Sequence, residues 1–345
     1  VTLQILLTAK KILNPSKPIH MFGLGLPQFF SLAVASGCDL MDSAAYILFA
    51  REKRYFTLST GTKKLEEIEE FPCHCPVCTQ YTPSELRELE EPSQIELLAR
   101  HNLYLSFSEL RTIRQAIKEG NLWELVEQRI RNHPSLVDAA QVLYKESPYI
   151  ERFEKVYKSH GRMFSSIESL QRPIIQRYLL RIQNNYRVPE GVDFLIIVPE
   201  LDVRGKSSPS VKEWINLIDN NMVISRERLH VVLLSPVFGI IPLELSETFP
   251  LAQYERSNLM TSKHAQEHCL KMISPFFKSH GKSYNKCAII VPEEYTNQFD
   301  EVVKFTEDHP INEIKSYIEK ETKINCTQFK HIQEIFEFFK ITESL

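Results

Sequence analysis

The chain has 345 residues, 43% of them hydrophobic and 25% charged, which suits a globular protein of one or two domains with ordinary cores. A net charge of −3 excludes a polycation, so any contact with nucleic acid has to come from a local patch. No apolar run reaches the roughly 18 residues of a membrane span, and the opening VTLQILLTAKKIL reads as an amphipathic helix rather than a signal sequence, so a cytoplasmic protein with no membrane partner is expected.

After that helix, NPSKP breaks the chain and IHMFGLG follows as a short apolar run ending in glycines, the pattern of a buried strand and its exit loop. PQFFSLAVASG is a helix with proline near its start and Gly37 at its end. CDLMDSAAY is a second short strand. Strand, helix and strand in this order predict a βαβ unit of parallel sheet.

Residues 71–107 carry the most specific signal. Cys73, Cys75 and Cys78 lie within six residues, and His101 follows Cys78 after 22 residues. Where disulfides are disfavoured, clustered thiols point to metal or catalysis. Three sulfurs and one imidazole close a tetrahedral zinc shell, and a closed shell leaves no place for water, so the metal is expected to be Zn²⁺ in a structural role. His74 is the weaker fourth ligand, because adjacent side chains point apart. The other four cysteines, Cys38, Cys269, Cys287 and Cys326, stand singly and read as packing residues. Beyond the loop, Thr82–Pro83 with Glu85 three residues on predicts a capping box, and further amphipathic helices run on, with a stop at Gly120.

Residues 151–187 are locally basic: Arg152, Lys155, Lys158, Arg162, Arg172, Arg177, Arg181 and Arg187 stand against three acids. This stretch is expected to be a helical connector that either touches RNA or presents a solvated helix face. From about residue 188, VDFLIIVP, LHVVLLSP and KCAIIVP are three buried-strand runs, each ending in proline. Helical stretches around Trp214, over 262–280 and near the C-terminal end separate or follow them. A second, three-layer α/β domain over 188–345 is therefore expected.

The cysteine spacing, together with PIHMFGLGLPQFFSLAVASGCDLMDSAAY and LLARHNLYLSFSELRTIRQAIKEGNLWELVEQRIRNHP, resembles the archaeal branch of the tRNA-guanine transglycosylases almost continuously from residue 18 to 134. The resemblance implies a TIM barrel with a zinc subdomain, of which residues 1–150 hold only the last βα units. It implies exchange of guanine-15 of tRNA for the 7-deazaguanine precursor preQ0, on the route to archaeosine. Asp42 matches the family's nucleophile, a carboxylate that attacks the ribose anomeric carbon and holds the sugar until the new base arrives. Read by itself, Asp42 is a helix cap before SAAY. Gly23 and Gly25 match a turn beside the base pocket, whereas Asp39 is expected to pair locally.

A closed barrel takes about eight strands, so the resemblance implies a protein partner supplying the N-terminal barrel half, or a homodimer. The second domain resembles the corresponding domain of archaeosine synthase, which adds lysine to tRNA-bound preQ0 and works with a radical enzyme. Where that family has proline-cysteine-serine, this chain reads Pro199-Glu200-Leu201, with Lys206, Ser207, Ser208 and Ser210 downstream as a possible site. Three functions follow as expectations: base exchange, lysine addition, or non-catalytic tRNA binding.

Overall fold

The computed structural model describes residues 2–221, 223–257, 263–305 and 311–340. They form two compact units, Val1–Lys158 and Ser159–Leu345.

In the first unit, α1 (Thr2–Ile12) precedes β1 (His20–Met21), α2 (Phe30–Ala35) and β2 (Leu40–Met41). The two strands pair in parallel, His20 with Leu40 and Met21 with Met41, so the expected βαβ unit is present. Gly37, at φ +99°, turns the chain out of α2. Next come α3 (Ala45–Arg51) and the antiparallel hairpin β3 (Arg54–Thr57) and β4 (Gly61–Lys64). Two short helices follow, α4 (Pro76–Gln80) and α5 (Pro83–Glu88). The capping box is made as the sequence predicts: Thr82 Oγ1 accepts from the Glu85 N–H, and the Glu85 carboxylate accepts from the Thr82 N–H at 2.7 Å.

Helix α6 then runs for 29 residues (Glu91–Glu119) and stops at Gly120, which is left-handed at φ +78°. α7 (Leu122–Ile130), α8 (Pro134–Lys145) and α9 (Ser147–Ile150) complete the unit. Its apolar interior is divided. One core joins Leu3, Leu6 and Leu7 to Leu32, Trp123, Val126, Leu136 and Leu143. A separate one gathers Tyr55, Leu65, Leu86 and Leu98 beneath the cysteine loop.

The second unit begins earlier than the sequence suggested. β5 (Arg162–Phe164) pairs in parallel with the later segment Tyr254–Arg256 of the same unit, and α10 (Pro173–Asn184) buries Ile174, Ile175 and Ile182 in that unit's core. Residues 159–187 are therefore part of this unit rather than a connector. The basic character of the stretch is also largely internal: Lys158, Arg162, Arg172 and Arg177 are all buried. Lys158 pairs with Glu124 at 3.1 Å, and the Arg172 guanidinium lies over the Phe164 ring. Charge counting reads every arginine as solvated, whereas a long guanidinium stem can pack with its head bonded inside.

The remaining elements are β6 (Phe194–Pro199), α11 (Pro209–Asp219), β7 (Leu229–Ser235), β8 (Gly239–Pro242), β9 (Tyr254–Arg256), α12 (Lys263–His280), β10 (Lys286–Ile290), β11 (Glu294–Thr296), β12 (Val302–Lys304), α13 (Ile311–Thr322), β13 (Asn325–Phe329) and α14 (Ile332–Lys340). α12 fills the helical stretch expected over 262–280, residue 262 itself lying outside the described residues. The three apolar runs become β6, β7 and β10, central strands of one sheet ordered β13-β10-β6-β7-β8. All pairs are parallel except the hairpin of β7 with β8. Every residue of β6, β7 and β8 is buried, as continuous apolar runs require when both faces are covered. Each buried Val, Leu, Ile or Phe side chain among them stabilises the sheet by about 1.5–3 kcal/mol.

Candidate functional site

Two arrangements in the first unit carry chemistry. The first is the cysteine cluster. Cys75 is the residue before the first turn of α4, Cys78 lies within that helix, and His101 stands on the buried face of α6. Proline at the first position of α4 fixes the turn that brings the two thiols round. The ligand atoms of Cys73, Cys75, Cys78 and His101 all lie within 4.8 Å of one another. Cys75 Sγ is 3.6 Å from Cys78 Sγ, and both are 3.4 Å from His101 Nδ1. A tetrahedron with Zn–S near 2.3 Å and Zn–N near 2.0 Å has edges of roughly 3.5–3.8 Å, so the set fits zinc. His74 is exposed and takes no part.

Surrounding groups fix the imidazole. His101 Nε2 lies 3.0 Å from the Phe56 carbonyl, to which its N–H donates, and this leaves Nδ1 facing the sulfurs. The Tyr55 ring stacks on the imidazole at 3.7 Å, and its hydroxyl lies 3.4 Å from Cys78 Sγ. The cluster titrates as a unit. A hydrogen bond with Cys78 holds the Cys73 thiol down at about 3, and the same contact pushes Cys78 up. Burial works against the charged form of His101, yet bonds to Cys73 and Cys75 raise it to about 9. A dication replaces such shared protons when it binds. Tyr55 and Phe56 escaped the sequence reading. The signal was there: a buried aromatic pair in RYFT, followed by a turn at Gly61, whose φ is +81°.

The second arrangement is the rim of the β1–β2 pair. Asp42 directly follows β2 and is not a helix cap: α3 starts at Ala45, whose N–H bonds Ser43 Oγ at 2.9 Å. Instead, Asp42 Oδ1 accepts from the Gly23 N–H at 3.3 Å and lies 3.2 Å from His20 Nε2, across the strand pair. Its side chain is half exposed, and Oδ2 makes no hydrogen bond among the described residues. One oxygen is thus oriented and the other is open to a reactant.

Gly23 is left-handed at φ +75°, which permits the turn that aims its N–H at the carboxylate. Gly25 is required for a different reason: a Cβ there would sit 2.4 Å from the Ala45 Cβ. Asp39 faces away and pairs with Lys10 at 3.2 Å, as expected. His20 and Phe22 were missed by sequence reasoning. The Phe22 ring, 88% exposed between β1 and Gly23, is an apolar platform next to the turn.

The residues singled out in the second unit do not form one site. Ser207 lines a cavity with Asp202 and Arg256, whereas Lys206 lines another cleft with His230 and Glu244. Ser208 is fully buried, and Ser210 Oγ accepts from the Thr296 N–H. The four unclustered cysteines are buried packing residues. Among the described residues no helix is long and apolar enough to cross a membrane.

Comparison with known proteins bears on the same regions. Residues 1–135 match the family model of queuine tRNA-ribosyltransferase. The chain is 41% identical over 256 residues to the tRNA-guanine(15) transglycosylase of Methanocaldococcus jannaschii, a match covering 73% of this chain and 36% of the relative. With the enzyme of that name from Haloarcula marismortui it shares 40% identity over 248 residues, 72% of this chain and 45% of the relative. A relative of the same name in Methanococcus maripaludis strain C5 is 34% identical over 340 residues, covering 92% of this chain and 50% of the relative. That alignment takes in most of the second unit, so a transglycosylase has a counterpart of both. The chain spans half or less of the length of each of these relatives. The first 135 residues are thus a domain of the tRNA-guanine transglycosylase family, and the relatives that the chain matches are archaeal.

Proposed function

We propose that the chain takes part in the exchange of guanine-15 in tRNA for preQ0, with Asp42 as the nucleophile. The observation that carries this reading is the carboxylate on the rim of a parallel strand pair, one oxygen held by Gly23 and His20 and the other open. A residue leaving the C-terminal end of a barrel strand is where this architecture places catalytic groups. In the forward step Asp42 Oδ2 bonds to ribose C1′, the C1′–N9 bond breaks, and its electron pair leaves with guanine, which takes up a proton at N9. In the return step N9 of the incoming base attacks C1′, loses its proton and frees the carboxylate. Gly23, with open space where a side chain would stand, lets a flat base approach the rim, and Gly25 lets the turn pack against Ala45.

Cys73, Cys75, Cys78 and His101 would hold a structural zinc ion. The ion supplies a cross-link between the cysteine loop, α4 and α6. No step of the reaction runs through it.

A pair of strands is not a closed barrel, and we assign the remaining barrel wall, with its base-recognition groups and second acid, to residues outside this chain. A partner chain or a further segment of a longer one would provide them. tRNA is the macromolecular substrate, which places the reaction in the cytoplasm. Lysine addition is the weaker reading, because Lys206 and Ser207 line different cavities.

Nucleoside mass spectrometry of tRNA incubated with preQ0 and this chain, alone and mixed with a chain carrying the missing barrel residues, tests the proposal. The expected result is preQ0 in tRNA with the native chain and none with Asp42→Asn, while thermal unfolding is unchanged. Exchange that persists in Asp42→Asn removes Asp42 from the chemistry.

A further inference from the structure

The strand order β13-β10-β6-β7-β8 has a physical consequence at one end of the sheet. The connection leaving β6 runs to its neighbour β7 on one side, and the connection leaving β10 runs to β13 on the other. Where neighbouring parallel strands send their connections in opposite directions, their carboxyl ends open a crevice, the usual ligand position in open α/β sheets. A cavity of about 570 Å³ lies there, walled by the segment after β6, by β9 and by the β11–β12 hairpin. Its volume falls within the range of small-molecule sites.

The lining is built for something polar and flat. Asp202 Oδ2 accepts from the Gln298 N–H at 2.7 Å, but its Oδ1 is buried with no hydrogen-bond partner among the described residues. Arg256 donates through Nη2 to the Leu201 carbonyl, while its Nε is likewise buried and unpartnered. The wall of one cavity therefore holds a spare acceptor and a spare donor, and a buried polar atom left unpaired is costly. The Tyr295 hydroxyl registers both groups. Burial first, and then Asp202, raise its titration, and Arg256 opposes them.

The floor behind them is hydrogen-bonded. Buried Glu200 accepts from the Tyr254 hydroxyl and from the Gly205 N–H. On the outer side the Phe299 ring is 73% exposed while lining the same cavity. Asn297 Oδ1 accepts from the N–H groups of Phe299 and Glu301, which holds that loop in shape. An exposed phenyl ring over a polar cavity matches the way single bases are taken by stacking with a shared polar edge.

We propose that this crevice is a nucleoside site, taking one base-plus-ribose unit, free or at an unpaired position of an RNA, with the base stacked on Phe299 and its polar edge shared between Asp202 and Arg256. The site does not depend on base exchange at Asp42.

The test is calorimetric titration of the full chain with each of the four ribonucleosides and with a short unstructured RNA. In parallel, 4-thiouridine is photocrosslinked, free and within that RNA, and the attached peptide is mapped by mass spectrometry. Expected is saturable binding, with the crosslink in residues 295–303. Phe299→Ala, an exposed truncation that leaves the core alone, weakens binding by about tenfold, the scale of one lost stacking contact. Asp202→Ala weakens it to a similar degree. Binding of RNA but not free nucleoside assigns the site to RNA, and the reverse assigns it to a free metabolite. The proposal is overturned if neither binds, if both variants bind like the native chain, or if binding is lost only in Asp42→Asn.

Discussion

The two units hold themselves together by different means. The second has one continuous core, in which the buried strands β6, β7 and β10 meet isoleucines of α10, α13 and α14. The first divides its apolar residues among small separate clusters. It also leaves Ile5, Ile12, Phe22, Leu40 and Leu48 more than half exposed. At the cysteine loop, four residues that could hold a metal stand where a larger hydrophobic core would otherwise be needed. A unit with a divided core can present a half-open carboxylate and an exposed ring at its rim, but its integrity then rests on a few specific contacts.

That contrast can be broken most forcefully at the metal. Loading the chain with zinc and then stripping it with a strong chelator, or making Cys75→Ser, should abolish hydrogen-exchange protection over residues 71–107 and leave the second unit untouched. Structural zinc sites in small peptides are worth on the order of 10 kcal/mol, so this is the largest effect expected. Unchanged protection would mean that the small cores suffice.

A converse experiment is Ile197→Ala, at a fully buried position of β6. It should cost about 2–5 kcal/mol, seen by denaturant titration as loss of the second unit's transition alone. Equal loss in both units would contradict their independence.

Smaller still is Thr82→Ala, which removes the oxygen that caps α5. A cost of about 1 kcal/mol is expected, read as faster exchange confined to peptides around residues 76–90.

The mildest test is pH. Burial tends to raise the Glu244 carboxyl, but hydrogen bonds from His230 and Tyr186 outweigh it and hold the group at about 2. A group lowered on folding stabilises the native state above its unfolded value, near 4.5, and that contribution disappears as pH falls through 2. The second unit should lose stability between pH 4.5 and 2, and Glu244→Gln should flatten the slope. The side chain is 43% exposed, so the effect is modest.

Legibility followed chemistry more than structure. Cys73, Cys75, Cys78 and His101 could be read together because ligand types at metal spacing are rare, and folding had only to bring a helix to a loop. The strand runs of the second unit were equally plain, since continuous valine, isoleucine and leucine between prolines has few other uses. Hidden from the sequence was whatever depends on a partner distant along the chain. Tyr55 matters because it stacks on His101, 46 positions later, and His20 because β1 lies beside Asp42. Arg162 and Arg172 look like surface charge until the structure shows them enclosed. The Lys158–Ser159 boundary was missed for the same reason, as the pairing of β5 with β9 spans some 90 residues.

One feature of α6 has a mechanical consequence. Its 29 residues extend for about 43 Å, and besides its apolar contacts it carries two polar anchors eight residues apart. His101 is tied into the metal-binding set, and Glu109, fully buried, receives two hydrogen bonds from Arg129 of α7 at 2.8 and 2.9 Å. These two anchors stand about 12 Å apart along the helix. Losing the one at His101 would leave the first half of α6 to Gln94, Asn102 and the small core of Leu98 and Ala99. The second half would keep its packing on α2 and α7 through Ile113 and Ala116, so the strand pair bearing Asp42 would lose less support than the cysteine loop does.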